Sequence, residues 1–121
     1  MSYRETATKL RADGQNCCQA VLGACCEQFG LTQEQAYRLG AFMGSGARTG
    51  ELCGAMNGAL MALGLAYGDE NCRQNQSSKK MLAAFRERFG ALRCEELKGE
   101  HHVSCPELIE WCCDYLEGEF Q

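Results

Sequence analysis

GSGARTGELCGAMNGALMALGLAYG, residues Gly44–Gly68, combines a glycine-rich loop with an almost uncharged apolar run, Leu52–Tyr67. Gly50, Gly54, Gly58, Ala62 and Ala66 recur at every fourth position. At 3.6 residues per turn this draws one stripe of tiny side chains up a helix. Glycine inside a helix costs about 1 kcal/mol relative to alanine, and close approach of a second backbone is the usual compensation. The run therefore predicts a buried central helix with Cys53 in its first turn. There the macrodipole and unpaired amides favour negative charge.

Outward from this helix, the chain reads as helices throughout. Tyr3, Ala7 and Leu10 share one face of a short helix closed by Asp13-Gly14. Asn16 is a good N-cap for a helix over Cys17–Phe29, whose apolar face is Cys18, Val21, Leu22, Cys25 and Phe29. Thr32 and Gln35 form a capping box for a third helix with Ala36, Leu39, Gly40 and Met43 inward. After the central helix, the spacing of Met81, Leu82, Phe85 and Phe89 predicts one long helix over Asn71–Phe89, with a loop up to Ser78 as the alternative. A connection follows, holding Cys94 and a short turn at Glu95–Leu97. Ser104, Pro106 and Glu107 start a last helix with Cys105, Leu108, Ile109, Cys112 and Leu116 on its apolar face. No strand-like alternation occurs. The expectation is one all-α domain over residues 1–121, a bundle of five to six helices around the glycine/alanine-striped one.

Composition narrows the partners. The 121 residues carry a net charge of −4 and no basic block, which argues against nucleic acid or an anionic membrane. The apolar run is too short and too glycine-rich to span a bilayer comfortably. The charged opening MSYRETATKLRADG has no apolar signal region, so a cytoplasmic protein is expected. Nothing in the pattern specifies an oligomeric state.

Ten cysteines in such a chain point to metal ligation, redox chemistry, or cysteine used as a small hydrophobe. No CxxC occurs, so the commonest zinc-ribbon and thioredoxin-like signals are absent. Local electrostatics sorts the ten. Cys17 and Cys105 follow N-caps, Cys53 opens the central helix, and Cys94 precedes the short turn. A helix N-terminus lowers a thiol's pKa, and the thiolate is both redox nucleophile and metal ligand. Cys18, Cys25, Cys26, Cys72, Cys112 and Cys113 lack this setting, and packing or solvent exposure accounts for them.

The chain resembles the C-GCAxxG-C-C family, small bacterial and archaeal proteins labelled redox-active from their four cysteines. The resemblance is carried by Gly14-Gln15-Asn16-Cys17 with Ala20-Val21-Leu22, by Cys53-Gly54-Ala55-Met56-Asn57-Gly58-Ala59, by Gly90-x-x-x-Cys94-x-x-Leu97 and by Cys105-x-x-Leu108. The centre here reads Cys-Gly-Ala where the label reads Gly-Cys-Ala. The resemblance puts the four cysteines on Cys17, Cys53, Cys94 and Cys105 and implies a redox role; thiol–disulfide exchange with a redox partner protein is the reaction expected for such a role. The mechanistic expectation is that Cys53 attacks or is attacked, and one of the other three resolves the mixed disulfide. The competing expectation is an electron-transfer module with zinc or an iron–sulfur cluster on the same cysteines, with His101 and His102 as further zinc candidates. The glycine loop does not fit GxxxxGK[ST], so a nucleotide P-loop is unsupported.

Overall fold

The computed structural model describes all of residues 1–121. Seven α-helices make up the fold: α1 Tyr3–Ala12, α2 Cys17–Cys25, α3 Gln33–Gly40, α4 Gly54–Tyr67, α5 Ser77–Phe89, α6 Cys94–Lys98 and α7 Cys105–Glu119. The seventh helix beyond the expected five or six is α6, a single turn. There is no sheet, only one isolated antiparallel bridge between Leu52 and Arg93. No helix is long and apolar enough to cross a membrane.

Side-chain caps set the helix starts. Ser2, Asn16 and Thr32 each accept from the backbone three residues on, and Glu5, Gln19 and Gln35 bond back to the caps. Ser104 caps α7 with Pro106 in the first turn. Two elements differ from expectation. Helix α2 stops at Cys25 and tightens into a 3₁₀ turn, Cys26–Phe29, before Gly30 reverses the chain. The long helix from Asn71 does not form: a 3₁₀ turn at Cys72–Gln74 is separated from α5 at Ser77. The side chains of Asp69 and Asn75 accept from the amides of Asn71 and Ser77, local turns that compete with a continuous helix.

Helix α4 packs on α2, α5 and α7, while α2 is the common neighbour of α1, α3, α4 and α7, so the bundle has two inner helices rather than one. The small-residue stripe does what close packing requires at Gly54, Gly58 and Ala62, all buried. A Cβ on Gly58 would fall 2.6 Å from the Cys18 carbonyl oxygen and 3.2 Å from the Val21 side chain, so α4 lies directly on the backbone of α2. Phe85, Leu22, Met56, Met81, Leu97, Ile109 and Leu116 fill the core around this crossing. Leu39, expected to face inward, is 57% exposed, because α3 ends at Gly40 and rests on α2 through Ala36 and Gly40.

Candidate functional site: a cluster of thiols at four helix starts

Cys17 and Cys105 are the first residues of α2 and α7, and Cys94 is the first residue of α6. Cys53 stands one position before α4, as its N-cap rather than in its first turn. Two backbone bonds fix Cys53 beside Cys94: the Cys53 amide donates to Leu92 O at 2.9 Å and the Cys94 amide to Glu51 O at 2.6 Å. Arg93 covers this joint with ion pairs to Glu51, Glu95 and Glu96. The glycine loop closes the other side. A Cβ on Gly46 would meet the backbone of Glu51 at 2.5 Å and the Cys94 Cβ at 2.9 Å, and its φ of 62° suits glycine. Asn57 ties the loop to α4, donating to Leu52 O at 3.1 Å.

Cys17 sits against the start of α4: a Cβ on Gly54 would lie 3.2 Å from the Cys17 Cβ. On its other side Cys17 faces Cys105, and the two thiols are strongly coupled. The two sulfurs interact closely enough that Cys105 is the one that ionises readily, while Cys17 is driven to keep its proton. Against desolvation, the Cys17 side chain first, then the Lys98 ammonium and the charge of Arg11, bring Cys105 down to about 5. Cys17 is pushed up by the same contact, by burial and by the neighbouring charges of Cys105 and Cys53. Lys98 in turn has its pKa raised by Cys105, and it forms no ion pair with a carboxylate.

Cys53 was expected to attack, but its environment favours the neutral thiol. Burial drives it up to about 11, with the Met56 and Ala55 amides opposing and Cys94 and Cys105 adding to the rise. It is 3% exposed, whereas Cys17 and Cys105 are half-buried. Cys18, Cys25, Cys26, Cys112 and Cys113 are buried core, and Cys72 is exposed. All ten cysteines are free thiols.

The zinc and iron–sulfur sets have no assembled counterpart, since no group of three or more His, Cys, Asp or Glu side chains is arranged to hold a metal ion. His101 and His102 are both exposed, and the His101 ring packs over Gly90, where an added Cβ would meet it at 2.7 Å. A groove of about 390 Å³ lined by Leu60, Leu63, Tyr67 and Leu82 lies at the far end of α4 and includes none of the four cysteines.

Sequence reasoning missed Lys98 and Arg11. Lys98 was within reach, because Cys94 and Lys98 are four residues apart and share a face of α6. Arg11 reaches the thiols only through the packing of α1 on α2, which no spacing announces.

Helical and cysteine-rich, the chain has the character of a redox-active protein. Residues 15–118 match the family described as "Putative redox-active protein (C_GCAxxG_C_C)", and the chain belongs to that family. No curated protein and no solved structure matches it.

Proposed function

We propose that this chain is a thiol–disulfide exchange protein in which Cys105 is the attacking thiolate and Cys17 the resolving thiol. The observation that carries the reading is the Cys17–Cys105 contact at two helix starts, with Lys98 beside the thiolate. In the first step the Cys105 thiolate attacks a substrate disulfide, a mixed disulfide forms, and one substrate thiolate leaves. In the second, Cys17 loses its proton to the leaving side and attacks Cys105. The products are an intramolecular disulfide and a second substrate thiol, with two electrons passed from the dithiol to the substrate.

A protein fits as the partner. Leu39 in the last turn of α3 and Phe42 just beyond it are 57% and 69% exposed, and this end of α3 is bonded to the N-cap of α2 through Asn16, which donates to Gly40 O and Ala41 O. Arg48 lies over the Phe42 ring at 4.8 Å from its centroid. An apolar, cationic surface within one residue of Cys17 suits a protein segment better than a small polar disulfide.

The test is reduction of a peptide disulfide by the reduced protein. Cys17→Ser is expected to stop at a stable covalent adduct of one peptide per chain, seen by intact mass. Cys105→Ser is expected to form no adduct at neutral pH. An adduct mapping to Cys53 in the Cys17→Ser protein would restore Cys53 as the nucleophile. Tightly bound zinc or iron after anaerobic purification, lost on replacing either cysteine, would favour a metal module instead.

A further inference from the structure

After Met1, Phe42 is the most exposed large apolar side chain of the molecule, and Leu39 follows it. Neither sits on a loose segment. The backbone on both sides of Phe42 is pressed onto the start of α2. A Cβ on Gly40 would lie 3.1 Å from Gln19 Cγ and 3.2 Å from Cys18 Sγ, and one on Gly44 would lie 2.8 Å from the Asn16 Cβ. Asn16 also bonds Gly40 O at 2.9 Å. Beyond Gly44, residues Ser45, Gly46, Ala47 and Arg48 have φ of 51°, 62°, 57° and 64°, one left-handed turn in which three non-glycine residues carry a steric cost. The Ala47 amide donates to Met43 O at 3.3 Å and the Glu51 amide to Gly46 O at 3.0 Å, which closes the turn. Its outcome is that Arg48 lies over the Phe42 ring. Strain of this kind clusters at ligand clamps and switch regions, where a fixed presentation matters.

Charge on this face runs against that of the chain. The net charge is −4, yet Gln35–Gly50 contains Arg38 and Arg48 and no Asp or Glu. Both arginines are exposed, and neither forms an ion pair with a carboxylate. Glu51, the next acidic residue, is taken up by Arg93.

We propose that Leu39, Phe42, Arg38 and Arg48 form the docking surface for an acidic segment of the redox partner, one that sets an apolar side chain against Phe42 and carboxylates against the two guanidiniums. Aromatic residues and arginines on a rigid patch are the groups that anchor interfaces. Because the same turn holds the cap of α2, a segment docked there arrives beside Cys17. This rests on the reading of Cys17 and Cys105 as the exchanging pair.

The experiment compares two cyclic disulfide peptides, each with a central phenylalanine, flanked by glutamates in one and by lysines in the other. Binding is read by fluorescence anisotropy on labelled copies with serine in place of cysteine, so that it does not depend on exchange. Reduction is followed by mass: two electrons and two protons pass from Cys17 and Cys105 to the two peptide sulfurs while the protein disulfide closes. The glutamate peptide is expected to bind and to be reduced about tenfold better at low salt, with the advantage shrinking at about 150 mM salt. Phe42→Ser should weaken its binding, and Arg38→Glu with Arg48→Glu should shift the preference to the lysine peptide. Equal binding of the two peptides, or binding unmoved by these substitutions, overturns the proposal whether or not the peptides are reduced. Preferential binding without reduction leaves the docking surface in place and removes the exchange reading. A chain that self-associates until Phe42 is replaced would make a second copy the occupant, and that too overturns the proposal.

Discussion

At Cys105 three influences compete, and the outcome decides which sulfur reacts. Removing a thiolate from water disfavours it, while the neighbouring Cys17 side chain and the Lys98 ammonium favour it, and together they win. The same burial acts unopposed by any cation at Cys112 and is only partly countered at Cys53. Helix starts alone therefore do not rank the thiols. Cys17, Cys53 and Cys105 all have that setting, and only Cys105 has a cation in contact. Replacing Lys98 with Met should shift the pH midpoint of Cys105 alkylation upward by one unit or more, read from rates of iodoacetamide labelling between pH 4 and 9, with each end of that range chosen to bracket about 5 and about 8.5. An unmoved midpoint would remove Lys98 from the site. What the residue scale left unread was contact across the chain: Cys17 and Cys105 are brought together only when α2 and α7 pack.

Among the elements, helix starts were legible and helix continuity was not. Asn16, Thr32 and Ser104 cap as their side chains predict, because an Ncap bond is made within four residues. The polar run Asp69–Lys80 misled, since lack of glycine and proline does not guarantee a helix when Asp and Asn side chains can bond the backbone locally. Leu39 misled in another way, being apolar at helical spacing yet left outside by the early end of α3. The α4 stripe was read correctly at its core. Gly58→Ala would drive a methyl against the Cys18 carbonyl, with backbone rather than a movable side chain in the way. The expected cost is about 1–3 kcal/mol, measured by urea denaturation. Cys17 labelling should quicken as α2 is pushed off α4. Full stability in that variant would mean the crossing is looser than the geometry implies.

For the molecule as a whole, the thiols set a stability profile with two limbs. Between about pH 5 and about 8.5 the unfolded chain keeps the Cys105 proton that the folded chain has released, so rising pH favours folding. Above about 8.5 the unfolded thiols ionise. Cys18 and Cys25, pushed up to about 12, and Cys53, pushed up to about 11, keep their protons in the folded state, so rising pH now favours unfolding. Cys17, Cys112 and Cys113 act in the same direction. Denaturation midpoints should rise toward mildly alkaline pH and then fall steeply, with the fall blunted when Cys18 and Cys25 are replaced by alanine in a variant that folds. Oxidation should also stabilise the chain, because a Cys17–Cys105 disulfide closes most of it into one loop and restricts the unfolded state by roughly 4 kcal/mol on the loop-entropy account.

The central claim is that one thiol, Cys105, is a thiolate at neutral pH and faces its resolving partner. Pulse alkylation of the reduced protein across pH, in a Cys72→Ser background and mapped by peptide mass spectrometry, tests it most directly. Cys105 should be the first cysteine modified, with its rate half-maximal near the value of about 5 set by Cys17 and Lys98. First modification at Cys53 or Cys94, or no cysteine modified ahead of the rest below pH 7, would contradict it.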